Sequence, residues 1–213
     1  MEKINGKFST LLDEAVAFHG HLCAGQIIGV RIAMLGLREL GITDPKGKDR
    51  KRLIVFVEID RCATDAIMTV TGCRIGRRNM KVMDYGKMAA TFLDVETGRA
   101  VRIVSLQTAR ERAAALYPDL STGAAQMKAY RELNDCDLFQ VQNVAVSVRP
   151  EDMPGPSLGK GMCAVCGETI LDCRERQVGD RVLCRPCATD NRYYTGTSLP
   201  YYPLENYPLE KKE

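Results

Sequence analysis

The chain has 213 residues, a formal net charge of +3, 45% hydrophobic and 27% charged residues, and no tryptophan. That length suits one core of ordinary size plus a small appendage, and so small a charge gives no argument for nucleic acid or a membrane surface as partner. The start, MEKINGKF, is polar, and no apolar run reaches the ~20 residues needed to span a bilayer, so a cytoplasmic protein without membrane contact is expected.

A first helix is predicted through STLLDEAVAFHG. Phe8, Leu11, Leu12, Ala15, Val16 and Phe18 form its apolar stripe, and Gly20 is its stop. A second helix, GQIIGVRIAMLGLREL, is apolar around most of its circumference and is expected to be buried, with Gly41 ending it. The basic segment DPKGKDRKR reads as a surface connector. LIVFVEI, Leu53 to Ile59, is β-branched and apolar, which predicts a central strand. CATDAIMTVTG predicts a short helix closed by Gly72. KMAATFLDV and RAVRIVSL flank Glu96-Thr97-Gly98 and predict a hairpin. Two helices follow, near Gln107–Leu116 and Gly123–Leu133, and then a strand, LFQVQNVAVSV.

Helices and strands fall in blocks with a hairpin rather than in βαβ alternation. The expected class is therefore α+β, with a mixed or antiparallel sheet packed with helices. The stretch Arg149 to Gly161 is rich in proline and glycine. The expected organisation is a core domain over 1–152, a linker over 153–161, a small four-cysteine zinc ribbon over 162–192 and a tyrosine-rich tail over 193–213.

Nine cysteines is an odd number, and five of them lie between Cys163 and Cys187. In a cytosolic chain that pattern reads as metal binding rather than as a disulfide framework. Cys163 and Cys166, and Cys184 and Cys187, form two CxxC pairs. Each pair can make a knuckle that aims two thiolates at one point, and four thiolates close a tetrahedral structural zinc site. A module this small needs such a staple to fold. A closed site offers no position for a substrate, so a docking role is expected there. Cys173 lies outside both pairs and is not counted as a ligand; Cys136 has no role legible in the sequence.

The two histidines of the chain, His19 and His21, stand just before Cys23 in FHGHLCAGQIIG. Two residues apart, they cannot share a helical face. In an extended or looped segment, residues 19, 21 and 23 can turn the same way. Cys23 precedes a helix start, and Cys62 lies directly after a strand at another; both settings favour a thiolate. Asp60 and Asp65 flank Cys62, where capping and a role in the site are equally open. Arg74, Arg77, Arg78 and Lys81 form a basic loop, for which a solvated surface is favoured over an anion site.

FHGHLCAGQIIGVRIA, followed by DRCATDAIMTVTGCRIGRRNMKVMDYGKMAATF, resembles the FmdE family of formylmethanofuran dehydrogenase over most of residues 10 to 150. The pattern of that family is approximately HGHxCPGxxxGxR, then CxxDAIQxxTGCTxGKGN, then DYGK. Here Ala24 replaces the proline, Met68 the glutamine and Arg74 the threonine, and GRRN replaces GKGN. The resemblance implies a metal or active-site group of His21, Cys23 and Cys62 with His19 beside it, and Cys73 as a further candidate. His19, Cys23 and Cys62 are also the candidates for catalysis. It implies zinc or another divalent transition metal in the core site, and an α+β domain that forms a homodimer, in some members by exchanging elements. It also implies a link to molybdenum- or tungsten-dependent redox metabolism, with a larger redox complex as a further partner.

The leading functional expectation is thus a metal-binding protein accessory to formylmethanofuran dehydrogenase-type redox metabolism. The alternative is a dimeric regulatory module whose zinc ribbon contacts nucleic acid, which is weakly supported, or a protein partner. A thiol-redox role for Cys23 and Cys62 ranks lower because no CxxC occurs in the core.

Overall fold

The structure, a computed structural model, describes residues 2–196, with backbone only for residues 2–5. From position 197 onward the tyrosine-rich tail lies outside the described residues. The chain divides into two compact units, Met1–Pro156 and Ser157–Glu213.

The first unit carries α1 (Glu2–His19), α2 (Ala24–Leu40), β1 (Leu53–Val57), α3 (Cys62–Thr71), β2 (Met80–Val82), β3 (Ala89–Asp94), β4 (Ala100–Ser105), α4 (Gln107–Leu116), α5 (Thr122–Glu132), α6 (Asp135–Leu138) and β5 (Phe139–Val144). The five strands form one sheet in the order β2-β1-β3-β4-β5. β1 and β2 are parallel and the other pairs antiparallel. This is the expected α+β class with a mixed sheet.

Side chains alternate between the two faces of a strand, and both faces of this sheet are covered. Leu53, Val55 and Val57 of β1, with Ala90 and Phe92 of β3, join the main core under the helices. Ile54, Leu93 and Ala100 point the other way, against Val144, Val146, Val148 and Met153. That second cover explains why the strand expected to run to Val148 stops at Val144: the segment beyond it turns back over the sheet. It also explains the unbroken apolar run of β1, which is buried on both faces.

α2 is the central helix, with eleven of its seventeen residues buried. Two glycines let it approach its neighbours closely. A Cβ at Gly29 would stand 2.5 Å from the carbonyl oxygen of Ala63, in α3. One at Gly36 would stand 2.4 Å from the Phe92 ring. The α1 stripe buries Leu12 and Ala15, whereas Phe18, expected on the same stripe, is 54% exposed and lies under the Arg74 guanidinium.

Two buried acids are paired. Glu58 takes a two-pronged contact from Arg102, at 2.6 and 2.8 Å. Asp94 accepts from Arg52 at 2.7 Å and from Thr97 Oγ1 at 2.9 Å, which ties the tight β3–β4 turn to β1. Burial acts to raise the Asp94 carboxyl, but Arg52, Thr97 and the Glu96 amide together hold it below the usual 3.8.

The second unit is two small hairpins, β6 (Lys160–Met162) with β7 (Thr169–Leu171) and β8 (Arg176–Val178) with β9 (Arg181–Leu183), followed by the short α7 (Arg185–Thr189). Its fully buried apolar set is Cys163, Ile170 and Leu183.

Gly29→Ala is expected to destabilise the first unit by about 1–3 kcal/mol, because the added methyl meets backbone rather than a side chain that can move aside. Urea unfolding followed by circular dichroism measures it; an unchanged midpoint would contradict the close α2–α3 approach.

Candidate metal centres

His19, Cys23 and Cys62 come together in the first unit, with one ligand atom of each within 4.8 Å of the others. Each stands at an element end. His19 is the last residue of α1. Cys23 occupies the N-cap of α2 in extended conformation, φ −147° and ψ 167°, and its side chain makes no cap hydrogen bond. Cys62 is the first residue of α3. Two helix N-termini therefore converge on the two sulfurs, and the N–H groups and dipoles there favour negative charge. In the metal-free thiol form, burial pushes the Cys62 thiol up, and its contact with Cys23 pushes it further.

The histidine is held from behind. Asp65 Oδ2 lies 2.8 Å from His19 Nδ1, in the first turn of α3. A carboxylate there fixes the Nδ1–H tautomer and leaves Nε2 as a lone pair. Nε2 is buried and has no hydrogen-bond partner among the described residues. A buried, unpartnered imidazole nitrogen beside two thiols is an incomplete site as a purely structural feature, and its donor set, one imidazole and two thiols, suits zinc or a similar divalent transition metal. Gln26, fully buried, supports the same corner by donating from Nε2 to the Cys62 carbonyl at 2.6 Å.

His21 is not in this group. It is exposed, with its ring centroid 4.7 Å from that of His19. The alternation expected over positions 19, 21 and 23 fails because His19 still belongs to α1 and the chain turns at Gly20, φ 95°. Cys73 is also elsewhere. It is 1% exposed, lies 3.9 Å from the Leu53 carbonyl, and burial pushes its thiol up to about 11; it is a core side chain. Cys136 and Cys173 are exposed and belong to neither cysteine group.

The basic loop is not the solvated surface expected from its charge. Arg74 donates to the Met68 and Cys73 carbonyls, at the C-terminal end of α3. Arg78 donates to the Glu151 carbonyl and Lys81 to that of Asp152 at 2.7 Å. These cations satisfy backbone oxygens, one of them at a helix end where positive charge is favoured. Of the two roles open to Asp65, the contact with His19 places it at the site. Gln26 is a residue that sequence reasoning misses. Its one signal is an amide in the first turn of a helix otherwise apolar nearly all round.

In the second unit, Cys163, Cys166, Cys184 and Cys187 form the other group, again with all sulfurs within 4.8 Å of one another. Gly167, at φ 73°, closes the first knuckle by donating its N–H to the Cys163 carbonyl at 2.9 Å. Cys184 is the N-cap of α7, which places Cys187 in its first turn. Backbone N–H groups of Cys166 and Cys184 hold the Cys163 thiol down to about 6. Cys166, although the Glu168 N–H acts to lower it, is pushed up to about 12 by burial and by the three neighbouring thiols. The cluster thus accepts one negative charge readily and resists the next until a cation enters.

A groove of about 630 Å³ elsewhere in the first unit, walled by Phe8, Leu11, Met34 and Ile42, includes no member of the histidine–cysteine group. No helix among the described residues is long and apolar enough to cross a membrane.

Residues 18–146 match the family described as "FmdE, Molybdenum formylmethanofuran dehydrogenase operon". Residues 156–193 match the prokaryotic dksA/traR C4-type zinc finger. A curated relative from Archaeoglobus fulgidus, named as a probable S-adenosyl-L-methionine-binding protein, is 32% identical over 98 residues, 46% of this chain. The match spans only 27% of that relative's length. Among solved structures, an FmdE-like protein of tungsten formylmethanofuran dehydrogenase from Syntrophus aciditrophicus aligns with a TM-score of 0.57 at 23% identity, covering 88% of this chain and 95% of that one. The likeness shows a shared fold.

Stripping metal with a chelator at neutral pH is expected to unfold residues 157–196 and leave the first unit folded, since the second has three fully buried apolar residues and four thiols to hold it. Amide hydrogen exchange reads both units at once; protection retained over 157–196 after complete removal of metal would contradict it.

Proposed function

This chain belongs to the FmdE family, and on that premise we propose that its core is a mononuclear metal centre held by His19, Cys23 and Cys62, with one position left open for a ligand. The observation that carries this reading is the buried, unpartnered Nε2 of His19, held by Asp65 beside the two sulfurs. Three protein ligands with an open fourth position is the arrangement of catalytic rather than structural zinc sites. The four cysteines of the second unit, by contrast, make a closed structural zinc site. We place the protein as an accessory to molybdenum- or tungsten-dependent formylmethanofuran dehydrogenase-type redox metabolism. The family description and the name of the structural neighbour support that placement.

Each residue has a defined task. Asp65 holds the His19 ring and keeps the proton on Nδ1. Cys23 and Cys62 present sulfur from two helix starts, where amide dipoles stabilise the thiolate. Gln26 fixes the backbone of Cys62. The metal would supply Lewis acidity toward an oxygen-bearing ligand at the open position. The basic loop takes no part, since its cations are spent on backbone carbonyls.

Metal analysis of the purified protein is expected to give two ions per chain, falling to one in the Cys23→Ser/Cys62→Ser double variant. Asp65→Asn is expected to weaken the core ion by about 10–100-fold in a chelator competition while leaving the ribbon ion in place, as is usual when the partner of a metal-binding histidine is lost. A single ion per chain, unaffected by the double variant, would overturn the core centre.

A further inference from the structure

Beside the core centre lies a cavity of about 230 Å³ that the metal-binding reading leaves without a role. It is smaller than the ~300–1,000 Å³ of sites for drug-sized ligands, so any occupant is small. Its floor is the first turn of α2, through Ala24 and Gly25. A Cβ at Gly25 would stand 3.6 Å from the Cys23 sulfur and 2.9 Å from the Cys62 Cβ. The cavity and the candidate metal position are therefore separated by a single residue without a side chain.

The polar groups of this cavity are uncommitted. Tyr130, from α5, is only 7% exposed, and among the described residues its hydroxyl has no hydrogen-bond partner. Gln126, one turn earlier on α5, has a buried Nε2 that is likewise unpartnered. Arg110, from α4, makes no ion pair among the described residues. Burial pushes the Tyr130 hydroxyl up and the Arg110 charge pulls it back, which places the two groups within electrostatic reach of each other. The N–H groups of Ala24 and Gly25 open a seventeen-residue helix and have no intrahelical acceptor.

All of these can donate a hydrogen bond, and no acidic side chain lines the cavity. A buried tyrosine hydroxyl and glutamine amide left without partners cost stability unless a ligand satisfies them. The remaining wall is apolar, formed by Ile28, Met88 and Leu106. A donor-rich end with one guanidinium, facing an apolar wall, fits a short-chain organic carboxylate. The carboxylate oxygens match Arg110 and the helix N–H groups, and the carbon chain matches the aliphatic side.

We propose that this cavity is the ligand subsite of the core centre and takes a small organic carboxylate, recognised by Arg110, Gln126 and Tyr130. The assignment rests on the reading of His19, Cys23 and Cys62 as a metal centre, which it extends by giving the open position a ligand class. It draws on α4 and α5, which contribute nothing to the metal group itself.

Calorimetric titration of the metal-loaded protein with acetate, butyrate and butylamine at low salt tests it. Saturable binding of butyrate, tighter than acetate, is expected, with none of butylamine. Arg110→Met is expected to weaken butyrate at least tenfold and Tyr130→Phe severalfold, with both variants keeping the wild-type metal content. Butyrate that fails to bind, or binds these variants as it binds the wild type, would overturn the subsite. The two readings can fail separately. Metal confined to the ribbon together with Arg110-dependent butyrate binding keeps the cavity and removes the core metal. Two ions per chain without Arg110-dependent binding does the reverse.

Discussion

Gly29 lets α2 run against α3 at a separation no side chain could occupy, with the Ala63 carbonyl 2.5 Å from where a Cβ would be. Gly25 repeats the contact one turn nearer the helix start, against Cys62. The core centre depends on this approach. Cys23 and Cys62 are far apart in sequence and lie on neither a common strand nor a common helix. They meet because two helices begin side by side, each with a cysteine at its start. The same packing brings Asp65, one turn into α3, against the end of α1, so that one interface supplies both sulfurs and the carboxylate that orients the histidine.

Much of this is legible in the sequence, and the rest is not for physical reasons. The double CxxC needs only local spacing, because a knuckle is made within four residues. β1, the β3–β4 hairpin and the helix stops at Gly41 and Gly72 are readable because each follows from period or from a residue with a special backbone. β2 escapes: its three residues pair along only one edge, and only Met80 is buried. The choice between His19 and His21 needs the end of α1 to within one residue, and helix ends are the least determined feature of a sequence. Arg110, Gln126 and Tyr130 carry no local signal at all. They lie on two amphipathic helices whose polar residues look like any solvated face until the fold sets them against the start of α2.

The two cysteine groups differ in what holds them. In the second unit the thiols lie in knuckles around a small apolar set, and their mutual repulsion, visible in the opposite displacements of Cys163 and Cys166, must be offset by a cation for the unit to stay closed. In the first unit a large core under a five-stranded sheet fixes the helix positions independently of any metal. The ligands there are placed in advance. That is the condition under which a site can leave a coordination position open without losing its shape.

An open position alone would not select a ligand. Two thiolates balance the charge of a divalent ion, so the centre itself offers an anion little net attraction. Positive potential at that point has to come from the surroundings. The start of α2 supplies part of it, and it serves the Cys23 sulfur on one side of Gly25 and the cavity on the other. Arg110 supplies a full charge from α4, with no carboxylate lining the cavity to cancel it. The arginines of the 74–78 loop, the more obvious cations in the sequence, lack that freedom, because they cap the end of α3 and hold the 149–153 segment. Selection at the core centre therefore falls to residues of the second half of the domain, outside the histidine–cysteine stretch that first marks the site.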